Sequence, residues 1–498
     1  MVHFCRDREE RTPEFCPNML NIAAEIFARN NPDAPALLAG DRTLTFGELE
    51  SLTVAAGNAL GDARRGRIGL YCPNGIAHII WSLAVLHAGG VLVPIAPELS
   101  SWERQQVLQL TGLDAVLCAD GKFWTAPLPL TNSLYVPGLG PATLLGGREQ
   151  PAMEFDQKKL AELNPALIRF SSGTTGHRKG VVLSHETLLD RVTAANAGLE
   201  IGPADRVIWT LPMAHHFAVS IILYLLHGAT TVIELSHLGE DVFRALEEKQ
   251  GTVLYASPFH YALLASYAEA HSIGSLRLAV STAAALPEAT AVAFRERFDL
   301  PLTQALGIIE CGLPVINKRW AKTKPLSVGE PQPAFELSLR GTDGVEVPQG
   351  EIGELFVRGP GFVDAYLIPW MSRDEILEGG WFRTGDFASR DVDGALFLHG
   401  RTHSVINVGG MKCFPEETEA LLNTFPGIKE TRVIAQENPT FGQVPMAEIV
   451  PCDPAQPPKI PQLIAFCRER LSNYKRPVKF VFVRELPKTA SGKIRRTI

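Results

Sequence analysis

The chain has 498 residues, 46% hydrophobic and 20% charged, with a formal net charge of −7. That is a globular composition, long enough for two or more cores, and it excludes the basic footprint of a phosphate-backbone binder, so nucleic acid is not an expected partner. Met1 to Cys16 alternates acidic and basic residues without the apolar run of a signal peptide, and the expected compartment is the cytosol. The eight cysteines (5, 16, 72, 118, 311, 413, 452 and 467) show no C-x-x-C spacing, which argues for free buried thiols over a zinc site or a disulfide framework.

In chain order, β-branched runs at Arg67–Tyr71, Val91–Ile95, Ala115–Leu117, Arg206–Thr210 and Thr230–Glu234 alternate with helical stretches, an α/β pattern without internal repeats. The most apolar segment, Ile68 to Pro97, is broken by Pro73, Asn74, Gly75, His78 and Gly89-Gly90, so no membrane span is expected. From Phe382 onward turn signals crowd together and place a domain boundary near 402. Beyond it a helix at Pro415–Asn423, a strand at Thr431–Ala435, a helix at Gln462–Leu471 and a strand at Lys479–Val483 are predicted, enough for a small α+β domain.

Ala166–Phe170 reads as a strand that runs into Ser171-Ser172-Gly173-Thr174-Thr175-Gly176-His177-Arg178-Lys179-Gly180. Glycines let the backbone approach oxygen atoms, hydroxyls supply donors, and Arg178 and Lys179 add charge, which suits a triphosphate. A polar hairpin turn has the same composition, and the glycine spacing is not that of a P-loop, where the lysine precedes Ser or Thr. Val181–Leu183 is predicted as a strand, with Ser184 capping a helix whose Leu188, Leu189, Val192 and Ala195 share one face.

With this loop the chain resembles the adenylate-forming superfamily of acyl-CoA and aryl-CoA synthetases, peptide-synthetase adenylation domains and luciferases. The resemblance runs in order through Leu44-Thr45-Phe46-Gly47-Glu48-Leu49, Leu86-His87-Ala88-Gly89-Gly90, the 171–180 loop, and Leu211-Pro212-Met213-Ala214-His215. It continues through Gly307-Ile308-Ile309-Glu310, Gly353-Glu354-Leu355, Arg383-Thr384-Gly385-Asp386, Gly400-Arg401 and Pro487-Lys488-Thr489-Ala490-Ser491-Gly492-Lys493. It implies an α/β fold with a large multi-layer N-terminal domain of mixed sheets, residues 1–402, binding ATP and the acyl group. A small mobile α+β domain, residues 403–498, would carry the catalytic lysine.

The implied reaction activates a carboxylate on the α-phosphate of ATP, expels pyrophosphate, and passes the acyl group to a thiol. By resemblance Lys493 is the adenylation lysine, Glu310 the Mg²⁺ ligand, and Ser171, Ser172, Gly173, Thr174, Thr175, Gly176, Lys179 and Gly307 the ATP-binding residues. Asp386 matches the ribose-binding aspartate and Arg401 the ribose- or phosphate-contacting arginine. His215 stands where the family has a pocket gate, and a hydrogen-bonded core histidine is an equal reading. His216, Phe217, Thr282, Ala283 and Ala284 are expected to line the acyl pocket, Gly409 and Gly410 the pantetheine tunnel, and His403 the hinge.

Three departures stand out. Leu306 and Ile309 replace an aromatic ring and a hydroxyl common beside the metal glutamate, and Ala283-Ala284-Ala285 stands where glycines are usual, which narrows a pocket. The hinge position, often Asp or Lys, is histidine. His216-Phe217-Ala218-Val219-Ser220 offers no carboxylate for a substrate ammonium, so a non-amino acid, aliphatic or aryl, with an apolar acyl part is expected. CoA and the phosphopantetheine of an acyl carrier protein are both open as acceptors, a homodimer is left open, and a non-catalytic nucleotide-binding regulator is the alternative of another class.

Overall fold

The computed structural model describes residues 19–122, 124, 128–146, 155–171, 179–283, 286–341, 343–401, 406–409, 411–413 and 415–487. Two nine-stranded mixed sheets form the body of the large domain. In one, parallel strands Leu302–Ile308, Leu278–Ser281, Val253–Ala256, Arg206–Trp209, Thr230–Ile233 and Pro35–Ala39 lie side by side, with antiparallel strands at both edges. The other is centred on Pro165–Ser171, Val91–Ile95, Arg67–Tyr71 and Ala115–Ala119. Every strand predicted from the β-branched runs is present within one or two residues.

Alternation along each strand builds the layers. Val253 and Tyr255 face the central core while Leu254 and Ala256 face a second cluster under the helices Gly239–Glu248, Pro258–Ser266 and Glu288–Phe298. In the other sheet Ile68 and Leu70 point into the same central core and Tyr71 points to the opposite face. Helices Ile76–His87 and Ile221–Leu226 lie in that central layer, the second with all six residues buried, as their apolar composition on all sides requires. The result is a layered α/β domain.

A four-stranded antiparallel sheet, Glu336–Arg340, Gly353–Arg358, Phe382–Arg390 and Leu396–Arg401, completes the large domain. The described residues between 406 and 487 form a separate five-stranded sheet with its own core, built on the long hairpin Ile428–Asn438 and Gly442–Pro451 and flanked by helices Pro415–Leu422 and Ile460–Arg470. The boundary expected near 402 and the hinge residue His403 lie outside the described residues. The small domain docks against the helix Ser101–Thr111: Ser100 Oγ donates to Arg470 O at 2.7 Å, and Trp102 packs on the small-domain core. Among the described cysteines all are free, and only Cys452 is exposed.

Candidate active site

A cavity of about 1200 Å³ lies between the two domains. Its large-domain wall is built from segments that follow the carboxyl ends of neighbouring parallel strands, where open α/β sheets place their ligands. His215 and His216 follow Arg206–Trp209, His237 follows Thr230–Ile233, and Ser257 and His260 follow Val253–Ala256. Thr282 and Ala283 follow Leu278–Ser281, and Glu310 follows Leu302–Ile308. The facing wall is contributed by the small domain, including Gly409, Met411, Phe441 and Tyr474.

Glu310 is half-buried, and its Oε1 accepts a hydrogen bond from Tyr366 Oη at 3.2 Å. Burial, then the Glu310 charge, pushes the Tyr366 phenol far above its ordinary range, so Tyr366 acts only as a donor there. The turn carrying Glu310 is pinned from behind by Arg191, 1% exposed on the helix His185–Leu199. Its Nη1 donates to Ile309 O at 2.7 Å, and its Nη2 to Gly361 O at 2.7 Å and to Glu310 O at 3.2 Å. Ile309 itself packs on the central core. A half-buried carboxylate with one oxygen held by a phenol fits a divalent cation shared with substrate phosphates, and Glu310 is the residue that would hold it. Among the described residues no cluster of three His, Cys, Asp or Glu side chains forms a metal cage.

The cavity holds a second charge that sequence reasoning missed. Arg169, in the strand that leads to the phosphate loop, lines the wall, and its buried Nε has no hydrogen-bond partner among the described residues. Burial lowers its pKa to about 10 against the opposing pull of Glu310, so the guanidinium stays charged at neutral pH. The signal was a charged residue inside the apolar run Ala166–Phe170. Arg191 carried a comparable one, standing on the apolar face of its helix between Leu188 and Val192.

Of the expected site residues, Glu310, Gly307, His215, His216, Thr282, Ala283 and Gly409 share this one cavity. Ala283 adopts the left-handed conformation, φ 68°, that favours glycine, and its carbonyl accepts a hydrogen bond from Asn407 Nδ2 of the small domain at 3.2 Å. Asp386 is buried, with Arg383, Thr384 and Gly385 on the cavity wall beside it, and it pairs in register with Arg401 across the antiparallel strands. Ser171 and Lys179 pair in the same way at the base of the phosphate loop. Ser172, Gly173, Thr174, Thr175, Gly176, Ala284, Gly410 and Lys493 lie outside the described residues, as do the side chains of Ser171, Lys179 and Arg401.

One expectation is corrected. Phe217 does not line the pocket. It is 1% exposed, its ring 6.3 Å from that of His78 in the central core. The helical turn Met213–His216 faces its two histidines to the cavity, and Phe217, one position on, turns inward. With Ser257, His260 and His237 on the same wall, the pocket is more polar than an apolar acyl part requires.

A family model described as AMP-binding enzyme matches residues 24–367, and one described as AMP-binding enzyme C-terminal domain matches residues 417–493. The chain is 29% identical over 506 residues to a sulfoacetate–CoA ligase of Cupriavidus necator, covering 97% of each. It is also 29% identical over 477 residues to a feruloyl-CoA synthase of an Amycolatopsis species, covering 94% of this chain and 95% of the relative. Among solved structures, an o-succinylbenzoate CoA synthetase double mutant from Bacillus subtilis, bound with a product analogue, aligns with a TM-score of 0.80 at 24% identity, over 96% of this chain and 97% of that one. That likeness is one of fold.

Proposed function

The chain belongs to the AMP-binding enzyme family, and on that premise we propose that it is an ATP-dependent acid–thiol ligase acting on a non-amino carboxylic acid, with CoA as the thiol. The observation that carries this reading is the single cavity walled by both domains, with Glu310 on one side and Gly409 on the other. Two half-reactions need one acyl site that is approached by different groups in turn.

In the first, a carboxylate oxygen attacks the α-phosphorus of ATP, a P–O bond forms, and pyrophosphate leaves with the bonding electrons. The phosphates are held by Ser171, Ser172, Gly173, Thr174, Thr175, Gly176 and Lys179, with Gly307 beside them. Asp386 and Arg401 hold the ribose, and Lys493 bridges carboxylate and phosphate. Glu310 is the residue that would hold Mg²⁺, and the ion when bound would supply neutralisation of the charge that develops on the phosphates. In the second, the thiol sulfur attacks the acyl carbon, AMP leaves with its oxygen, and the thiol proton passes to solvent or phosphate. Gly409 and Gly410 line the thiol path, and His215 gates the acyl site.

The division of labour between residues 1–402 and 403–498, with His403 as hinge, follows from the same scheme. CoA is preferred to a carrier protein because the named relatives are CoA-dependent enzymes. No helix among the described residues is long and apolar enough to cross a membrane. The test is product analysis with ATP, Mg²⁺, CoA and a panel of acids. Acyl-CoA, AMP and pyrophosphate should appear in equal amounts; ADP and inorganic phosphate in their place would overturn the reading.

A further inference from the structure

The acyl side of the cavity carries a hydrogen-bonded chain that neither half-reaction uses. Ser257 Oγ lies 2.8 Å from His260 Nδ1, and His260 Nε2 lies 3.0 Å from His237 Nδ1. All three residues line the cavity; Ser257 is 1% and His260 5% exposed, whereas His237 stands exposed at the rim.

The direction of the chain follows from what each proton can reach. Ser257 is the N-cap of the helix Pro258–Ser266, a position where a serine oxygen ordinarily accepts a backbone N–H, yet here it accepts none. Were His260 protonated on Nδ1, the buried Ser257 hydroxyl hydrogen would need another acceptor, and none is found among the described residues. The hydroxyl therefore donates to Nδ1. Burial, reinforced by the neighbouring imidazole, lowers the His260 pKa to about 4, which keeps the ring neutral. Its single proton is then on Nε2 and is donated to His237 Nδ1. A neutral His237 in turn carries its proton on Nε2, and that N–H has no acceptor among the described residues. The chain ends in a donor.

We propose that the Ser257–His260–His237 chain is a specificity subsite for an oxygen-bearing acceptor group at the far end of the acyl part, so that the preferred acid carries a second polar group. This rests on the ligase reading and narrows its substrate class. A wall meant only for hydrocarbon has no use for a buried serine and histidine, whose desolvation costs free energy that an apolar ligand does not return. The spacing sets a length. Ser257 and His260 follow a strand two positions from the one that precedes Glu310, roughly 10 Å at about 4.8 Å per strand. An extended chain of about eight carbons with its terminal oxygens, or an aryl ring with a short arm, spans that distance at about 1.2 Å per bond.

The experiment compares acid-dependent exchange of labelled pyrophosphate into ATP for two matched pairs, octanedioate with octanoate and 4-hydroxycinnamate with cinnamate. Wild type, His237→Leu, His237→Gln and Ser257→Ala are the enzymes. Wild type should favour the polar member of at least one pair by about tenfold in kcat/KM, the effect of one good hydrogen bond to the bound acid. His237→Leu and Ser257→Ala should each remove most of that preference through KM, and His237→Gln, which keeps an N–H donor, should restore part of it. His237 is exposed, so its variants test the subsite even where Ser257→Ala disturbs the helix start. Preference for the apolar member in both pairs, or a ratio that His237→Leu leaves unmoved, would overturn the inference while leaving the ligase standing. Absence of exchange with every acid would instead bring down the ligase reading, and this inference with it.

Discussion

The Lys475 ammonium of the small domain lies 2.7 Å from the Glu103 carboxylate of the large domain, with 4% and 0% of the two side chains exposed. Glu103 also accepts from Ser472 Oγ at 2.5 Å and closes the capping box of its own helix with Ser100, while Glu417 approaches Lys475 from the other side at 3.0 Å. Removing the lysine leaves buried carboxylates facing each other, a change that costs about 3–5 kcal/mol. Lys475→Met should therefore loosen the docked arrangement in which Gly409 and Met411 wall the cavity. Thioester formation from supplied acyl-AMP should fall by about tenfold or more, and pyrophosphate exchange by less. Equal losses in the two assays would show that the contact is not specific to this arrangement.

The Glu310 turn depends on a close approach at Gly361, which has φ 68° and would place an added Cβ 2.5 Å from Arg191 Cβ. Gly361→Ala forces the helix carrying Arg191 away from the carbonyls of Ile309 and Glu310. A loss of about 1–3 kcal/mol in stability is expected, together with slower adenylation. Thermal melting and pyrophosphate exchange measured on one preparation check both.

Acid should destabilise the large domain through two buried imidazoles. Burial lowers the His78 and His185 pKa values to about 4, and His185 Nδ1 accepts from Ile22 N at 3.1 Å, which protonation of that nitrogen would abolish. Below about pH 6.5 the unfolded chain takes up protons that the folded chain refuses, so their contribution is complete above that pH and is lost as pH falls towards 4. Each is worth on the order of 1–3 kcal/mol. Denaturant unfolding at pH 7 and pH 5 should show the fall, and His185→Asn should flatten it.

The two half-reactions should also separate at Lys493. Lys493→Ala is expected to abolish adenylation, because the bridge between carboxylate and α-phosphate is gone, and to leave thioester formation from supplied acyl-AMP largely intact. If both activities persist unchanged, the lysine is not the bridge.

The layered α/β body was readable because buried parallel strands are short apolar β-branched runs, and Arg67–Tyr71 or Arg206–Trp209 stand out without any partner being known. The long small-domain hairpin was read only at Thr431–Ala435, since Gly442–Pro451 carries Pro445 and Glu448 within the strand and its regularity comes from pairing. Within the site, placement and pairing were the illegible part: Arg169 adjoins the phosphate loop, yet only the orientation of its strand puts it on the cavity wall. Arg191 and Tyr366 reach Glu310 from more than fifty positions away, and Glu103 meets Lys475 across 372. Phe217 was misplaced for a related reason: an apolar residue next to His216 has the composition of a pocket wall, and only the helical turn decides which way it faces.

The central claim is that an enzyme-bound acyl-adenylate forms before any thiol takes part. The most direct measurement is exchange of labelled pyrophosphate into ATP with Mg²⁺ and a substrate acid in the absence of CoA. The account predicts acid-dependent exchange without the thiol, lost in Lys493→Ala and strongly reduced in Glu310→Gln. Exchange that appears only when CoA is added, or that proceeds without any acid, would contradict it.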